Sequence, residues 1–393
     1  MWLLVPVALS AALTITVRLK PDTTYVTDTT YVTSQAVQNP DDDSPLIGAA
    51  ASGDVETVRK LLAGGNVDAN TKSASGTTPL FEASLYGHAS VASLLLAAGA
   101  RANNAAPDGS TPLMAASQGG YTDVVRTLLD AGAEIDSVDK QGVTSLMIAA
   151  AANRSEVVRL LLDRGANVNA RTKEGPNALM AAAYGGHAAV AQLLLAKRAD
   201  LTARDPRART VLMAAALGGN PAIVKSLLSS GVEIDAVDAE GDTALAYAVA
   251  YGFLDIAEAL LDAGAMKGRD AFLISAAQYG RLPLVKTLLA RGIKVNASVQ
   301  GATPIAVAAS HGQTAMVDFL IAAGANVNVK DEDGQTPLME AAAAGDSGIV
   351  GTLLKKGADR EAVDKAGRTA WNHAVRNGHQ DVAKLLEAAN PRQ

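Results

Sequence analysis

Met114, Met147, Met180 and Met213 stand 33 residues apart, and Met339 takes the same place in a later segment. A row of thioethers is the chemistry that would hold a soft metal such as Cu(I). The competing reading is packing, because methionine is flexible and polarizable and fills irregular core space. Thioethers held one repeat apart in a core cannot converge on a single ion, so packing is the expectation. Five histidines, His88, His187, His311, His373 and His379, are too scattered to suggest a shared site. Asp331-Glu332-Asp333-Gly334 matches the start of a calcium loop, but the later ligands and the closing Glu are missing. It reads instead as a hairpin tip, like Asp139-Lys140-Gln141-Gly142 and Asp364-Lys365-Ala366-Gly367. There is no phosphate-binding G-x-x-x-x-G-K-[ST], no H-E-x-x-H and no G-x-S-x-G. Zero cysteines exclude disulfides, thiolate zinc sites, iron–sulfur clusters and a cysteine nucleophile. Asn153-Arg154-Ser155 and Asn296-Ala297-Ser298 fit the glycosylation acceptor pattern, a motif short enough to recur by chance. No acid–base pair or nucleophile constellation emerges, so a non-enzyme without cofactor or metal is expected.

The elements that would carry these residues are repetitive. Small turn residues recur at Gly53, Gly87, Gly120, Asn153, Gly186, Gly219, Gly252, Gly280, Gly312, Gly345 and Gly378. All intervals are 32–34 residues, except for one of 28 between Gly252 and Gly280. Each unit opens with a helix start, often Thr-Pro, as at Thr78-Pro79, Thr111-Pro112, Thr303-Pro304 and Thr336-Pro337. The hydroxyl can accept from the first free backbone N–H groups, and proline suits the first helical position because it has no N–H to leave unpaired. A short Ala-rich helix follows and ends at the turn residue. A second helix then places β-branched residues and leucines on one face, as in Val124-Val125 and Leu128-Leu129. Gly-Ala comes next, as at Gly99-Ala100 and Gly165-Ala166, followed by a polar stretch leading into the next unit.

The pattern G-x-T-P-L-x-x-A-A, G-H, V-V-x-L-L-L, G-A resembles that of the ankyrin repeat family. The fullest match runs from Gly76-Thr77-Thr78-Pro79-Leu80 through Gly87-His88 and Leu94-Leu95-Leu96 to Gly99-Ala100. Eleven units in phase cover 44–390. The resemblance implies an all-α repeat solenoid of helix–turn–helix units with short β-hairpin fingers and a concave groove. It also implies which side chains face that groove: the last two before each turn Gly, and the one after the methionine place. Those positions hold Tyr86, Tyr184, Tyr247, Tyr251, Tyr279 and His311. Five of the six tyrosines within the repeats sit there, and tyrosine is favoured at binding hot spots. The expected function is a non-catalytic scaffold that grips another protein through groove and hairpin tips. The alternative is a peptide or small-ligand receptor using the central Tyr-lined groove.

Composition supports a stacked architecture. The chain is 49% hydrophobic but only 4% aromatic, so its apolar bulk is mainly Ala, Leu and Val. Close-packed inner helices favour Ala, and large rings would prop neighbouring layers apart. A net charge of −6 makes the chain a poor partner for nucleic acid. The family's histidine in T-P-L-H is absent from every copy. The 28-residue interval predicts a missing finger near 265–270, splitting the array into repeats 1–7 and 8–11. Polar residues Asp54, Glu56, Arg59 and Lys60 at one end, and Arg376, Asn377, Gln380, Asp381, Lys384 and Glu387 at the other, read as caps on a complete, monomeric domain.

Residues 1–17 are uncharged, with Arg18 and Lys20 close behind. They are too short for a full bilayer span and fit a secretory h-region, while the missing N-terminal cation also fits an uncleaved anchor or a misassigned start. The protein is therefore expected to be exported or membrane-anchored, with a cytoplasmic location as the alternative. Any membrane contact would be through this segment alone. Residues 18–43, with Asp22-Thr23-Thr24-Tyr25-Val26-Thr27 duplicated at 28–33, read as a tether.

Overall fold

The computed structural model describes residues 44–388. The expected leader at 1–17 and tether at 18–43 lie outside the described residues. The described chain divides into two compact units, one ending at Ala244 and the other starting at Leu245.

The first unit contains α1 (Pro45–Ser52), α2 (Val55–Ala63), α3 (Pro79–Leu85), α4 (Ala89–Ala97), α5 (Pro112–Gly119), α6 (Thr122–Asp130), α7 (Ser145–Ala151), α8 (Ser155–Asp163), α9 (Ala178–Tyr184), α10 (Ala188–Ala196), α11 (Val211–Leu217) and α12 (Pro221–Ser229). The odd-numbered helices form an inner layer and the even-numbered ones an outer layer. Each inner helix packs on its own outer partner and on the next inner helix. Local chemistry starts each inner helix. Thr78, Thr111, Thr144 and Thr210 accept from the backbone N–H three residues on, and Asn177 does the same for Met180. Losing such a cap costs about 1 kcal/mol.

The outer helices are amphipathic. In α6, Val124, Val125 and Leu128 are buried, and α8 repeats the pattern with Val157, Val158, Leu161 and Leu162. The inner helices bury nearly everything. In α9, every residue from Ala178 to Ala183 is buried, which requires small side chains where two neighbouring helices approach. The scarcity of aromatics follows from this layer.

The turn glycines do two jobs. Gly87 has a φ of 82°, and a Cβ added there would lie 2.5 Å from the Tyr121 ring of the next repeat. Tyr121 immediately precedes α6 and its ring lies across the preceding turn, so the glycine is required both for backbone conformation and for space. Asn153 takes the turn position once, with a φ of 57°, in keeping with asparagine's tolerance of the left-handed region.

The second unit contains α13 (Ala244–Tyr251, with Ala244 at the boundary), α14 (Leu254–Asp262), α15 (Arg269–Gln278), α16 (Leu282–Ala290), α17 (Pro304–Ser310), α18 (Thr314–Ala322), α19 (Pro337–Ala344), α20 (Ser347–Lys355), α21 (Ala370–Arg376) and α22 (Gln380–Ala388). Inner helices α15, α17, α19 and α21 stack in series. Six residues, 263–268, join α14 to α15 without a bridge, whereas the other repeats carry a longer connection there. The division between units nevertheless falls at Ala244–Leu245 and not at this short connection. Across 263–268 the outer helices α14 and α16 still pack together, so the layer continues there.

The fingers are smaller than the expected hairpins. Among the described residues four are closed by single bridges, Val138–Thr144, Arg171–Asn177, Arg204–Thr210 and Val299–Ala302, and none by a ladder. Closure comes from an acidic side chain. Oδ1 of Asp139 accepts from the N–H groups of Gln141 and Val143, and Asp205, Asp331 and Asp364 bond the equivalent amides. One carboxylate oxygen thus satisfies two loop amides that a short hairpin cannot pair with backbone. An amide ladder ties repeats together along the same edge. Asn70 accepts from the Arg101 N–H and donates to the Gly99 carbonyl, and Asn328 bonds Asp359 and Gly357 in the same way.

Two fingers place a non-glycine residue in the left-handed region, Gln300 with a φ of 49° and Ala208. Ala208 occupies the place of the usual glycine with a φ of 60°. A left-handed L-residue costs about 1–2 kcal/mol, partly offset by the greater chain entropy glycine would lose on folding. Ala208→Gly should therefore stabilise the 44–244 unit by about 0.5–1 kcal/mol. A urea titration that leaves the midpoint unmoved would show that the finger relaxes the strain elsewhere.

Candidate interaction surface

Where a finger is closed by an Asp, that side chain has a second oxygen, and what reaches it decides which inner-helix side chains stay available. At the last repeat, Asp364 Oδ2 accepts from Arg368 Nε at 2.8 Å and pairs with His373 Nε2 at 3.0 Å. Burial alone would push this carboxyl up, but donors from the Arg368 backbone and guanidinium, His373 and the Ala366 N–H outweigh it. They hold the group down at about 2.

Two of the tyrosines expected on the open groove are withdrawn from it. Tyr184 donates its hydroxyl to Asp205 Oδ2 at 2.6 Å, and Arg209 Nε donates to the same oxygen at 2.7 Å. The Arg209 guanidinium also lies 5.3 Å from the centre of the Tyr184 ring. Tyr184 is half-buried and its polar tip is spent on holding the finger. Tyr247 is only 5% exposed. It follows the methionine place on its helix, the position that His373 uses to reach its finger Asp in α21. Side chains at that position turn toward the finger base, so Tyr247 offers a partner almost no surface. These two residues correct the expected site.

The others do face solvent, at the C-terminal ends of the inner helices. In the first unit Tyr86 ends α3 and is 44% exposed. In the second unit Tyr251 and Tyr279, the residues immediately before their turn glycines, are 37% and 42% exposed. Tyr251 stacks on Phe253 with ring centres 5.9 Å apart and planes 10° from parallel. His311 is exposed at the end of α17 and joins the end of α15 through Gln278, whose Nε2 lies 3.2 Å from His311 Nε2. His311 Nδ1 lies 2.9 Å from the Val307 carbonyl, which places the proton on Nδ1 and leaves Nε2 to accept from Gln278. Tyr251, Tyr279 and His311 therefore occupy equivalent places in three consecutive repeats of one unit.

Phe253 and Arg281, the residues just after the turn glycines, were not among the residues singled out from sequence. Arg281 lies against the Gly252 turn, where an added Cβ would come within 3.0 Å of its guanidinium. The available signal was position: the histidines after the turn glycines already mark the place. His88, His187 and His379 each direct Nε2 to a carbonyl at the end of the preceding inner helix, namely Ala51, Ala151 and Ala343, at 2.9–3.1 Å. They answer helix-end acceptors that would otherwise lack a donor. Among the described residues no group of three His, Cys, Asp or Glu is placed to hold a metal.

The methionine ladder is core. Met114, Met147, Met180, Met213 and Met339 are all 4% exposed or less. Two carry an additional contact, since the Thr111 and Thr210 N–H groups point to the sulfurs of Met114 and Met213 at 3.4 and 3.3 Å. The thioether thus closes a capping box from the place where the family's imidazole stands. A shallow pocket in the last repeat is lined by Arg360, Glu361, Thr369, Trp371, Leu386 and Glu387, and shares no residue with the tyrosines.

Glu340 also follows a methionine and so turns toward its finger, where Asp331 waits with no Arg or His opposite. Burial first, and the Asp331 charge second, push the Glu340 carboxyl from 4.5 up to about 7. Between those values the unfolded chain has released a proton that the folded chain keeps, so this group favours folding less as pH rises from 4.5 through 7. Glu340→Gln should stabilise the protein by about 1–3 kcal/mol at pH 8 and hardly at all at pH 4. Equal gains at both pH values would exclude a buried, proton-retaining carboxyl.

A family model described as ankyrin repeats, in units of three copies, matches residues 46–139, 98–172, 132–205, 179–271, 267–331 and 305–392. The chain belongs to the ankyrin repeat family, and its fold is an all-α stack of paired helices, twenty-two among the described residues. Among solved structures, the human ASB11 ankyrin repeat domain is similar to 57% of this chain and 99% of its own, at 27% identity with a TM-score of 0.51. The ankyrin repeat domain of Bcl-3, described as a unique member of the IkappaB protein family, shares 27% identity over 56% of this chain and 98% of its own, with a TM-score of 0.48. No curated protein gave a significant match. Ankyrin repeats are generally protein-binding modules without catalytic activity.

Proposed function

We propose that this protein is a binding scaffold whose partner protein docks on the exposed aromatic residues at the turn ends of the inner helices. The observation that supports this is the contrast within one residue type. Tyr184 and Tyr247 are committed to the fingers or buried, whereas Tyr86, Tyr251 and Tyr279 keep about two-fifths of their surface in water. Rigid aromatics with a polar tip lose little entropy on binding and are enriched at hot spots. Pull-down with wild type and with a Tyr251→Ala/Tyr279→Ala variant tests the reading. The variant should lose the partner while retaining its helical circular dichroism and thermal midpoint. Full retention of the partner would exclude Tyr251 and Tyr279 as its docking site.

The N-terminal segment supports a location outside the cytoplasm or at a membrane, through its uncharged run followed by basic residues. Mass spectrometry of the protein from its native cells would find a start after residues 8–12 if the leader is cleaved. It would find Met1 in the membrane fraction if the leader is an anchor.

A further inference from the structure

The second unit adds charge to its aromatic ridge. From Ala271 to Val317 the sequence has no Asp or Glu and carries Arg281, Lys286, Arg291 and Lys294, in a chain whose net charge is −6. Arg291 is ion-paired with Asp262, and Lys286 lies 5.5 Å from the centre of the Phe319 ring. Arg281 is exposed at the N-cap of α16 and forms no salt bridge among the described residues. Its guanidinium lies beside the Gly252 turn, next in sequence to Tyr251, and two residues after exposed Tyr279. In the second unit, along the residues that follow the turn glycines, the first acid is Asp346, beyond Arg281 and Gln313 and beside the Gly312 turn.

We infer that the ridge formed by Tyr251, Phe253, Tyr279, Arg281 and His311 docks an acidic protein segment that carries an aromatic or aliphatic anchor. This rests on the scaffold reading above and names the chemistry of its partner. The stacked Tyr251–Phe253 pair and the Tyr279 ring supply flat apolar contact for the anchor. Arg281 supplies a fork of donors that a carboxylate can take two at a time. His311, with its proton on Nδ1, keeps a polar edge next to Gln278. The acid-free stretch from Ala271 to Val317 adds a positive field behind them, flanked by Asp255 in the first turn of α14 and Asp346 beside the Gly312 turn. Such a field acts mainly on association and on choice of partner, and it weakens with salt. A basic partner segment would meet Arg281 as a like charge and gain nothing from the stretch.

The test is peptide display with the full-length protein as bait. A random 12-mer library is selected on wild type, on Arg281→Glu, on Tyr279→Ala and on Lys225→Glu, a charge reversal on an outer helix of the other unit. Selected peptides are then resynthesised with a fluorophore and titrated at 50 and 300 mM salt. The expected wild-type pool is rich in Asp and Glu around an aromatic or leucine, with affinity falling at least threefold at the higher salt. Arg281→Glu should lose those peptides by tenfold or more and shift its own pool toward Lys and Arg. Tyr279→Ala should weaken them by a similar factor, and Lys225→Glu should leave them unchanged. Binding of neutral or basic peptides through Tyr279, indifferent to Arg281→Glu, would overturn the acidic-segment inference and leave the scaffold reading standing. Peptides that bind all four proteins alike, or a library that yields no binders, would overturn both.

Discussion

Replacing Leu194 by Ala should destabilise the 44–244 unit by about 3–4 kcal/mol, as large-to-small changes at fully buried leucines do. Leu194 is 0% exposed in α10, and it belongs to the outer layer that joins each repeat to its neighbours. The cost has two parts, the lost transfer of the isobutyl group and the cavity left among neighbours that cannot collapse onto it. In a repeat array, stability is the sum of unit and interface terms, so one cavity weakens two interfaces at once. Hydrogen exchange followed by mass spectrometry should show α8, α10 and α12 losing protection together, with α18, α20 and α22 unchanged. Loss confined to α10 would contradict nearest-neighbour coupling.

Asp364→Ala should cost about 3–5 kcal/mol, the range for removing one partner from a buried charged cluster. The change strips acceptors from the N–H groups of Ala366 and Arg368 and leaves the Arg368 and His373 side chains facing an apolar hole. Because the folded-state pKa is depressed to about 2, the wild-type contribution is present above the unfolded value near 3.8. It is lost as pH falls through about 2. The difference between wild type and variant should therefore be full at pH 6 and shrink at pH 2. A difference independent of pH across that window would mean that packing, not the ionised carboxylate, holds the last finger.

The fold was readable because its signal is periodic. Turn residues at 32–34-residue intervals, Thr-Pro helix starts and paired leucines placed each helix near where it is found. The methionine reading also matches the structure, since burial and capping leave no open sulfur. The site was legible only in part, and the reason lies in one turn of helix. Tyr247 and Tyr251 are four residues apart on α13, and both looked groove-facing from their spacing. Side chains next to the methionine place lean back toward the finger, while those next to the turn glycine end in solvent. Tyr184 was hidden differently, because its bond to Asp205 spans 21 residues and no local pattern announces it. Arg281 escaped notice because the position after the turn carries histidine in three other repeats, and there the imidazole serves a helix end.

On the proposed function, partners meet this protein at the turn ends of its inner helices. Site-specific photo-crosslinking tests it most directly, with a benzoylphenylalanine introduced singly at positions 86, 251, 279, 126 and 225 in the native host. Protein adducts are expected from 251 and 279, and from 86 if the first unit shares the partner. Outer-helix positions 126 and 225 should give none. Adducts from the outer positions with none from the ridge would contradict it.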